Sequence, residues 1–254
     1  MQKTSKIALA VVTGVVGTVI IYAAFLIVAT WPISTYSIEK AGVFGDSFGV
    51  LTSIFSGLAF AGVIWTVLTQ LEELSITRDQ LKNQGIENAF FQMLRLHNEM
   101  LNEIDLSETT GPGIIVTTGR DVINVFRNRL ITHFQKINSS EPNLDEKEKA
   151  NKAYYNFWRQ HQSELAHYFR FLFNLFKYIH ESESDNKEAY AKLVRAQLSN
   201  QELALLFYNC LSPQGEKFMV YAKAYSLFDN MTDKDLIIPD HITYMSDDAL
   251  GKKP

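Results

Sequence analysis

The chain has 254 residues, a formal net charge of −4 and a single cysteine, Cys210. Its slightly acidic balance argues against binding to a phosphate backbone as the main function, so there is no strong nucleic-acid signal. One cysteine excludes an internal disulfide, which is compatible with a reducing cytosol. The length that remains after an apolar N-terminal part suits one domain with a hydrophobic core.

Two long apolar segments open the chain. Residues 7–31 contain no charged residue, and residues 43–69 contain only Asp46. About 20 apolar residues in a helix are enough to cross a bilayer. A cleaved signal peptide is the alternative for the first segment, but the segment is too long and Trp31-Pro32 offers no small-x-small cleavage site. We therefore predict a membrane hairpin over residues 1–69, with spans at about 7–31 and 45–69.

The positive charges near the membrane predict the orientation of these spans. Lys3 and Lys6 flank one side, the link at 32–42 has only Lys40, and Arg78 and Lys82 follow the second span. Lysine and arginine are more frequent in cytoplasmic flanks. We expect a multi-pass protein of the bacterial inner membrane, in contact with lipid, with both termini in the cytoplasm.

The second span carries small residues at every fourth position. They are Gly45, Gly49, Ser53, Gly57 and Ala61. Small side chains at this spacing let helix backbones approach closely in lipid. The row favours either packing between the two spans of one chain or a seam between copies in a homo-oligomer, and both alternatives stay open.

Asp46 is the only ionisable residue next to a span. A charge inside a membrane is a candidate functional group. Asp46 precedes the apolar run, however, and a helix N-cap is the favoured interpretation.

After the spans, the pattern predicts only helices. A heptad pattern suggests a helical stalk over residues 70–85, ending at Gly85, which either packs on its own domain or forms a coiled coil. Residues 86–231 are expected to form an all-helical cytoplasmic domain, in which His97 is a core residue and residues 109–119 form a loop. The capping box at Ser199 and Glu202 predicts a helix start. Residues 232–254 are expected to be a loose tail.

Further helices are predicted from the same periodicity. One aromatic-rich helix covers residues 147–180; its rings could stack bases, but the pattern favours a core. A separate helix covers residues 187–198, and Ser212-Pro213 is expected to open the last helix. The fold class is therefore all-α, with two N-terminal transmembrane helices before the helical domain.

Motifs of common enzymes are absent from the sequence. There is no Gly-rich phosphate loop, HExxH, CxxC or GxSxG, so we expect no metal, cofactor or catalytic residue. One alternative is Arg127-Asn128 followed by His133, which resembles the R-N-x4-H signature of HEPN-type ribonucleases. In that family the arginine and histidine act together on RNA. Six residues place these side chains about 120° apart on a straight helix, and His133 lies on a predicted apolar stripe.

Four stretches from Gly45 onward have a recognisable pattern: 45–49 (GDSFG), 88–99 (NAFFQMLRLHNE), 119–120 (GR) and 195–218 (RAQLSNQELALLFYNCLSPQGEKF). In these stretches the chain resembles the phage abortive infection proteins of the AbiC type. The corresponding motif positions are Asp46, His97, Arg120, Arg195, Ser199, Glu202 and Asn209. The resemblance implies antiphage defence through arrest or death of the infected cell, and it implies no established chemistry.

Three functions fit these observations. The first is a non-enzymatic effector that perturbs the inner membrane after a phage-derived or neighbouring-gene trigger reaches the cytoplasmic domain. The second is a membrane-tethered HEPN-like ribonuclease that uses Arg127 and His133. The third is a membrane-anchored sensor or binding module for another effector.

Overall fold

The computed structural model describes residues 2–29, 31, 38–110 and 113–252. The elements are α1 (Gln2–Ala29), α2 (Ile38–Glu103), β1 (Asp105–Thr110), β2 (Gly113–Thr118), α3 (Arg120–Ser140), α4 (Glu146–Glu181), α5 (Lys187–Gln197), α6 (Asn200–Leu211) and α7 (Met219–Ala224). Short 3-10 turns cover Glu216–Phe218, Asp233–Asp235 and Pro239–Tyr244. Helices thus account for most of the described chain, which confirms the all-α class. The chain divides into two compact units, Met1–Asp79 and Gln80–Pro254.

The first unit contains α1 and the beginning of α2. Both helices are long and apolar enough to cross a membrane, and the side chains of their apolar windows are not buried inside the protein. The two helices meet where the Tyr22 hydroxyl donates to the Ser47 carbonyl at 3.0 Å and the Tyr22 ring contacts Phe48 edge-on. Most of the predicted outer link, at residues 32–37, lies outside the described residues.

The second unit has one hydrophobic core. Helices α3 and α4 pack against each other, and α6 packs against both. The predicted aromatic-rich helix is present as α4, where the Asp145 side chain caps the first turn by accepting from the Lys147 N–H. Its largest buried rings are those of Tyr154, Phe157 and Phe176. The aromatic residues therefore serve mainly as core, because their spacing places them on one face of the helix.

The loop predicted at residues 109–119 was wrong for residues 109–110 and 113–118, which lie in strands. Strands β1 and β2 pair antiparallel, from Asp105 opposite Thr118 to Thr110 opposite Gly113. The second strand is rich in β-branched residues, which favour extended backbone. Gly119 closes the hairpin with φ +64°, and its N–H donates to the Ile104 carbonyl at 2.8 Å. The expectation that the chain contains no strands was wrong here. Two paired strands of six residues each give a pattern too short to recognise in the sequence.

Two predicted boundaries of the second unit were also wrong. Helix α2 continues through Gly85, because the buried Phe90, Leu94 and Leu101 hold the following turns in the core. The last helix does not begin at Ser212-Pro213; a 3-10 turn comes first, and α7 starts at Met219. A single glycine or proline is therefore a weak boundary signal where core packing fixes the backbone.

The C-terminal segment is packed, not loose. Four of its apolar side chains and one histidine are buried: Leu236, His241, Met245, Ala249 and Leu250. The Phe228 N–H donates to the Ala249 carbonyl at 2.9 Å. The apolar residues of this segment are sparse and follow no helical period, so their burial depends on the surface that α3 and α6 offer them.

Candidate functional site

Glu202 is the centre of a buried polar cluster in the second unit. Its side chain is only 1% exposed. One carboxylate oxygen accepts from the Tyr168 hydroxyl at 2.6 Å, and the other accepts from the N–H and the hydroxyl of Ser199, both at 2.8 Å. The Ser199 hydroxyl in turn accepts from the Glu202 N–H at 3.2 Å. The capping box predicted from the sequence is therefore complete, and a phenol from α4 completes the coordination of its carboxylate.

His97 lies beside this cluster. Its ring centroid is 5.3 Å from that of Tyr168, and the side chain is 1% exposed. Neither ring nitrogen has a hydrogen-bond partner among the described residues. Burial lowers the pKa of His97, the nearby Glu202 opposes that shift, and the Arg120 guanidinium adds to it. His97 is thus a neutral core histidine, as predicted, but its polar atoms are not satisfied as such a residue's usually are.

Arg120 and Asn98 form hydrogen bonds with the last residue of α5, next to this cluster. The Arg120 guanidinium donates to the Gln197 carbonyl at 3.1 Å, and the Asn98 amide donates to the Gln197 side chain at 2.8 Å. Four of the predicted motif positions, on α2, α3 and the α5–α6 junction, therefore lie close together. We call the group His97, Tyr168, Ser199 and Glu202 the Glu202 cluster.

Sequence reasoning missed Tyr168 and Gln197 in this arrangement. Tyr168 was one aromatic residue among many in α4, and burial and the nearby Glu202 carboxylate raise the pKa of its hydroxyl. Gln197 accepts hydrogen bonds with its backbone carbonyl and with its side-chain oxygen. A single glutamine near the surface gives no distinctive pattern in the sequence. The capping box was the one available signal for Tyr168. If its glutamate is buried, the second carboxylate oxygen needs a hydrogen-bond donor from another element.

Arg195 and Asn209 make contacts elsewhere in the second unit, outside the Glu202 cluster. Arg195 donates to the Tyr225 and Ser226 carbonyls at 3.2 and 2.8 Å and forms an ion pair with Asp229 at 2.8 Å. The buried Asn209 amide donates to the Tyr154 hydroxyl at 2.7 Å. The first residue connects α5 to the turn after α7, and the second connects α6 to α4.

Asp46, the remaining motif position, lies within α2 in the first unit and is exposed. The helix begins at Ile38, so the predicted N-cap role is wrong. The apolar run alone did not reveal that the helix already begins at Ile38.

Arg127 and His133 do not come together as a pair. The Arg127 guanidinium donates twice to the Asp235 carbonyl, at 3.2 and 2.9 Å. His133 shares a hydrogen bond with the Gln160 side chain at 3.1 Å. The expected place of His133 on the apolar stripe was wrong, since Phe134 is the buried residue and His133 is only half-buried.

The small residues of the second span form an uncovered row. Gly45, Ser53 and Ala61 are exposed, and a Cβ added at Gly49 or Gly57 would meet no described atom within 4 Å. Helix α1 contacts α2 at Ser47 and Phe48, which lie on a different part of its circumference. The described part of the first unit therefore places no side chain against the row.

The described residues contain no group of three or more His, Cys, Asp or Glu side chains placed to hold a metal ion. Cys210 is buried, and burial raises the pKa of its thiol. A buried thiol of raised pKa is a poor nucleophile.

Residues 160–236 match the family model described as "Putative phage abortive infection protein". In this segment the chain matches the abortive infection family. For residues 160–236 the resemblance inferred from the sequence is thereby confirmed, and the match associates the chain with phage abortive infection; the stretches at 45–49, 88–99 and 119–120 lie outside it. The matched segment includes Arg195, Ser199, Glu202 and Asn209, while His97 and Arg120 reach the same region from outside it. No curated protein and no solved structure gives a significant match.

Proposed function

We propose that this chain is a non-enzymatic membrane effector of phage abortive infection. The observation that carries the proposal is the continuity of α2, which extends from Ile38 to Glu103. One helix includes both the second apolar segment and His97, whose ring lies against Tyr168 of the family-matched segment. The apolar segment and the residue that contacts the family-matched segment thus belong to one helix, which supports a link between the domain and the span.

In this proposal the chain resides in the bacterial inner membrane with both termini in the cytoplasm. A phage-derived molecule or the product of a neighbouring gene acts on the helical domain and changes its packing. Copies then associate through the uncovered row that begins at Gly45, and the assembly perturbs the lipid bilayer. Close packing of small residues supports association in lipid, where the hydrophobic effect does not act between helices.

The test compares infected cells that carry the chain with infected cells that lack it. Entry of a membrane-impermeant dye, membrane potential and RNA integrity are followed in the same cultures. We expect dye entry and depolarisation that depend on the chain, before any loss of RNA. RNA cleavage that precedes depolarisation would overturn the proposal in favour of the ribonuclease alternative. Protection without either change would favour the sensor alternative.

Two variants separate the effector from the ribonuclease. Arg127→Ala and His133→Ala should leave protection within about twofold of the wild type, since each side chain has a structural partner of its own. Thermal unfolding of both purified variants establishes that they are folded. Loss of protection in both folded variants, together with loss of RNA cleavage, would assign the ribonuclease function.

A further inference from the structure

A cavity of about 440 Å³ lies in the second unit between the middle of α4 and the segment that follows α6. Its volume is in the range of small-molecule sites. Apart from Trp158, its lining residues lie within the family-matched segment. The Glu202 cluster does not contribute to the lining, so the cavity is a separate feature.

Aromatic rings form much of the cavity wall. Trp158 and Phe169 lie with ring centroids 6.1 Å apart, and so do Phe173 and Phe218. Phe169 and Phe218 are buried, while Trp158 and Phe173 are half-buried and therefore keep part of their surface accessible. Accessible aromatic rings offer a stacking surface to a planar ligand, and every nucleobase has such a face.

Two cations lie at the same cavity. Arg170 and Lys217 line it, and both side chains are exposed. Neither forms an ion pair or a side-chain hydrogen bond with another residue in the described part of the chain. No aspartate or glutamate is among the lining residues. The cavity therefore presents positive charge without a compensating carboxylate, and guanidinium and ammonium groups are the usual partners of phosphate.

Three side-chain amides complete the lining, from Gln162, Asn209 and Gln214. Amides both donate and accept hydrogen bonds, which suits the mixed edge of a nucleobase. Asn209 is fixed by its bond to Tyr154 and by the close approach of Gly215. A Cβ at Gly215 would lie 2.1 Å from the Asn209 Oδ1, so only glycine leaves this wall of the cavity in place.

From this combination we infer that the cavity binds a nucleoside phosphate. The base stacks on the aromatic wall, the amides contact its edge, and Arg170 and Lys217 hold the phosphate. Binding at this cavity does not depend on how the chain acts on a membrane, so failure of the proposed function leaves it standing.

Isothermal titration calorimetry on the full-length chain in detergent tests the inference. The probes are AMP, GMP, CMP and UMP, with the four nucleosides, inorganic phosphate and O-phosphotyrosine as comparisons. At least one nucleotide should bind about tenfold more tightly than its nucleoside and than phosphate alone. In an Arg170→Gln/Lys217→Gln variant that affinity should fall about tenfold or more, while nucleoside binding changes less than twofold.

Lys192→Gln is the matched control, since Lys192 is an exposed cation on α5 outside the cavity lining. It should keep the affinity of the wild type. No binding of any of the four nucleotides at millimolar concentration would overturn the inference. So would a double variant that binds as well as the wild type, a control that loses as much affinity, or a preference for O-phosphotyrosine over all four nucleotides.

Discussion

At the scale of single residues, the Glu202 carboxylate and the His97 imidazole differ in how their burial is compensated. Glu202 accepts three hydrogen bonds, so its oxygens are well satisfied. His97 has no hydrogen-bond partner among the described residues, and burial favours its neutral form. Protonation of His97 therefore opposes the packing of α2 against α4, whereas the glutamate stabilises the start of α6.

The lowered pKa of His97 predicts a pH dependence of stability. Its pKa in the folded chain lies below the unfolded value of 6.5, so the unfolded chain binds the proton more readily. The contribution of His97 to stability is complete above pH 6.5 and is lost as the pH falls toward the folded pKa. Burial also lowers the pKa of His241. We expect His97→Phe to reduce the decline in Tm between pH 7 and pH 5.

The control for this pH dependence is His167→Gln, since His167 is an exposed histidine on the same helix as Tyr168. It should keep the wild-type decline. Tm is measured on the full-length chain in detergent by intrinsic fluorescence. A decline in His97→Phe as steep as that of the wild type would contradict the prediction.

Two glycines predict opposite effects of the same substitution. An alanine Cβ at Gly215 would lie 2.3 Å from the Asn209 carbonyl oxygen, so Gly215→Ala should cost about 2 kcal/mol or more through overpacking. At Gly85, inside α2, a Cβ meets no described atom within 4 Å. Gly85→Ala should add about 0.5–1 kcal/mol through higher helix propensity. Denaturant unfolding of both variants measures the change, and a stable Gly215→Ala chain would show that the backbone there adapts.

At the scale of elements, α2 is the longest helix and has two different surroundings. Its first half is apolar with exposed side chains, and its second half contributes Phe90, Leu94 and Leu101 to the core. The predicted stalk lies near the middle of α2. Its heptad positions, which include Leu71 and Leu74, are exposed. Residues of both compact units are therefore part of one helix in the chain.

The row of small residues on α2 predicts which span substitutions matter. Each step of four residues turns a helix by about 400°, so the row drifts only about 40° per step. A leucine in it would prevent close approach of a second helix. Gly49→Leu or Gly57→Leu should abolish protection against phage while the chain still inserts, whereas Ile54→Leu should be tolerated. Plaque counts and membrane fractionation measure both properties.

Crosslinking distinguishes the two possible partners of this row. A cysteine introduced as Ser53→Cys in a Cys210→Ser background should give disulfide-linked dimers if the row joins copies of the chain. Absence of dimers would favour packing within one chain. Normal protection by both leucine variants would leave the row without a role and reduce the spans to a passive anchor.

At the scale of the whole molecule, the part with the two apolar helices (Met1–Asp79) and the helical domain (Gln80–Pro254) are separate compact units. The proposal of an effector requires that the domain, which ends at the C-terminus, lies on the cytoplasmic side with the N-terminus. The distribution of Lys3, Lys6, Arg78 and Lys82 supports this orientation. The number of candidate spans in the described residues is even, which is compatible with termini on one side.

Reporter fusions check the topology. A reporter active only in the cytoplasm, fused after Pro254, should give full signal, and one active only in the periplasm should give a signal near background. A periplasm-active reporter inserted in the link near Lys40 should be active. The reverse pattern would exclude the proposed orientation and with it a trigger that arrives from the cytoplasm.

The amino-acid sequence alone was enough to predict most of the helices, the two apolar segments and the capping box at Ser199. These features depend on neighbours three or four residues apart, or on a run long enough to cross a bilayer, so local pattern carries them. It also carried the resemblance to the abortive infection family, which the match over residues 160–236 confirmed.

Tertiary packing decided the rest. The hairpin after α2, the burial of the C-terminal segment and the meeting of His97 with Tyr168 and Glu202 depend on residues far apart in the chain. The same holds for the cavity, which combines the aromatic face of α4 with Lys217 from the segment after α6. A helical period identifies which face of a helix is buried, but not which other helix covers that face. Polar side chains meet only when packing of the apolar faces brings their elements together.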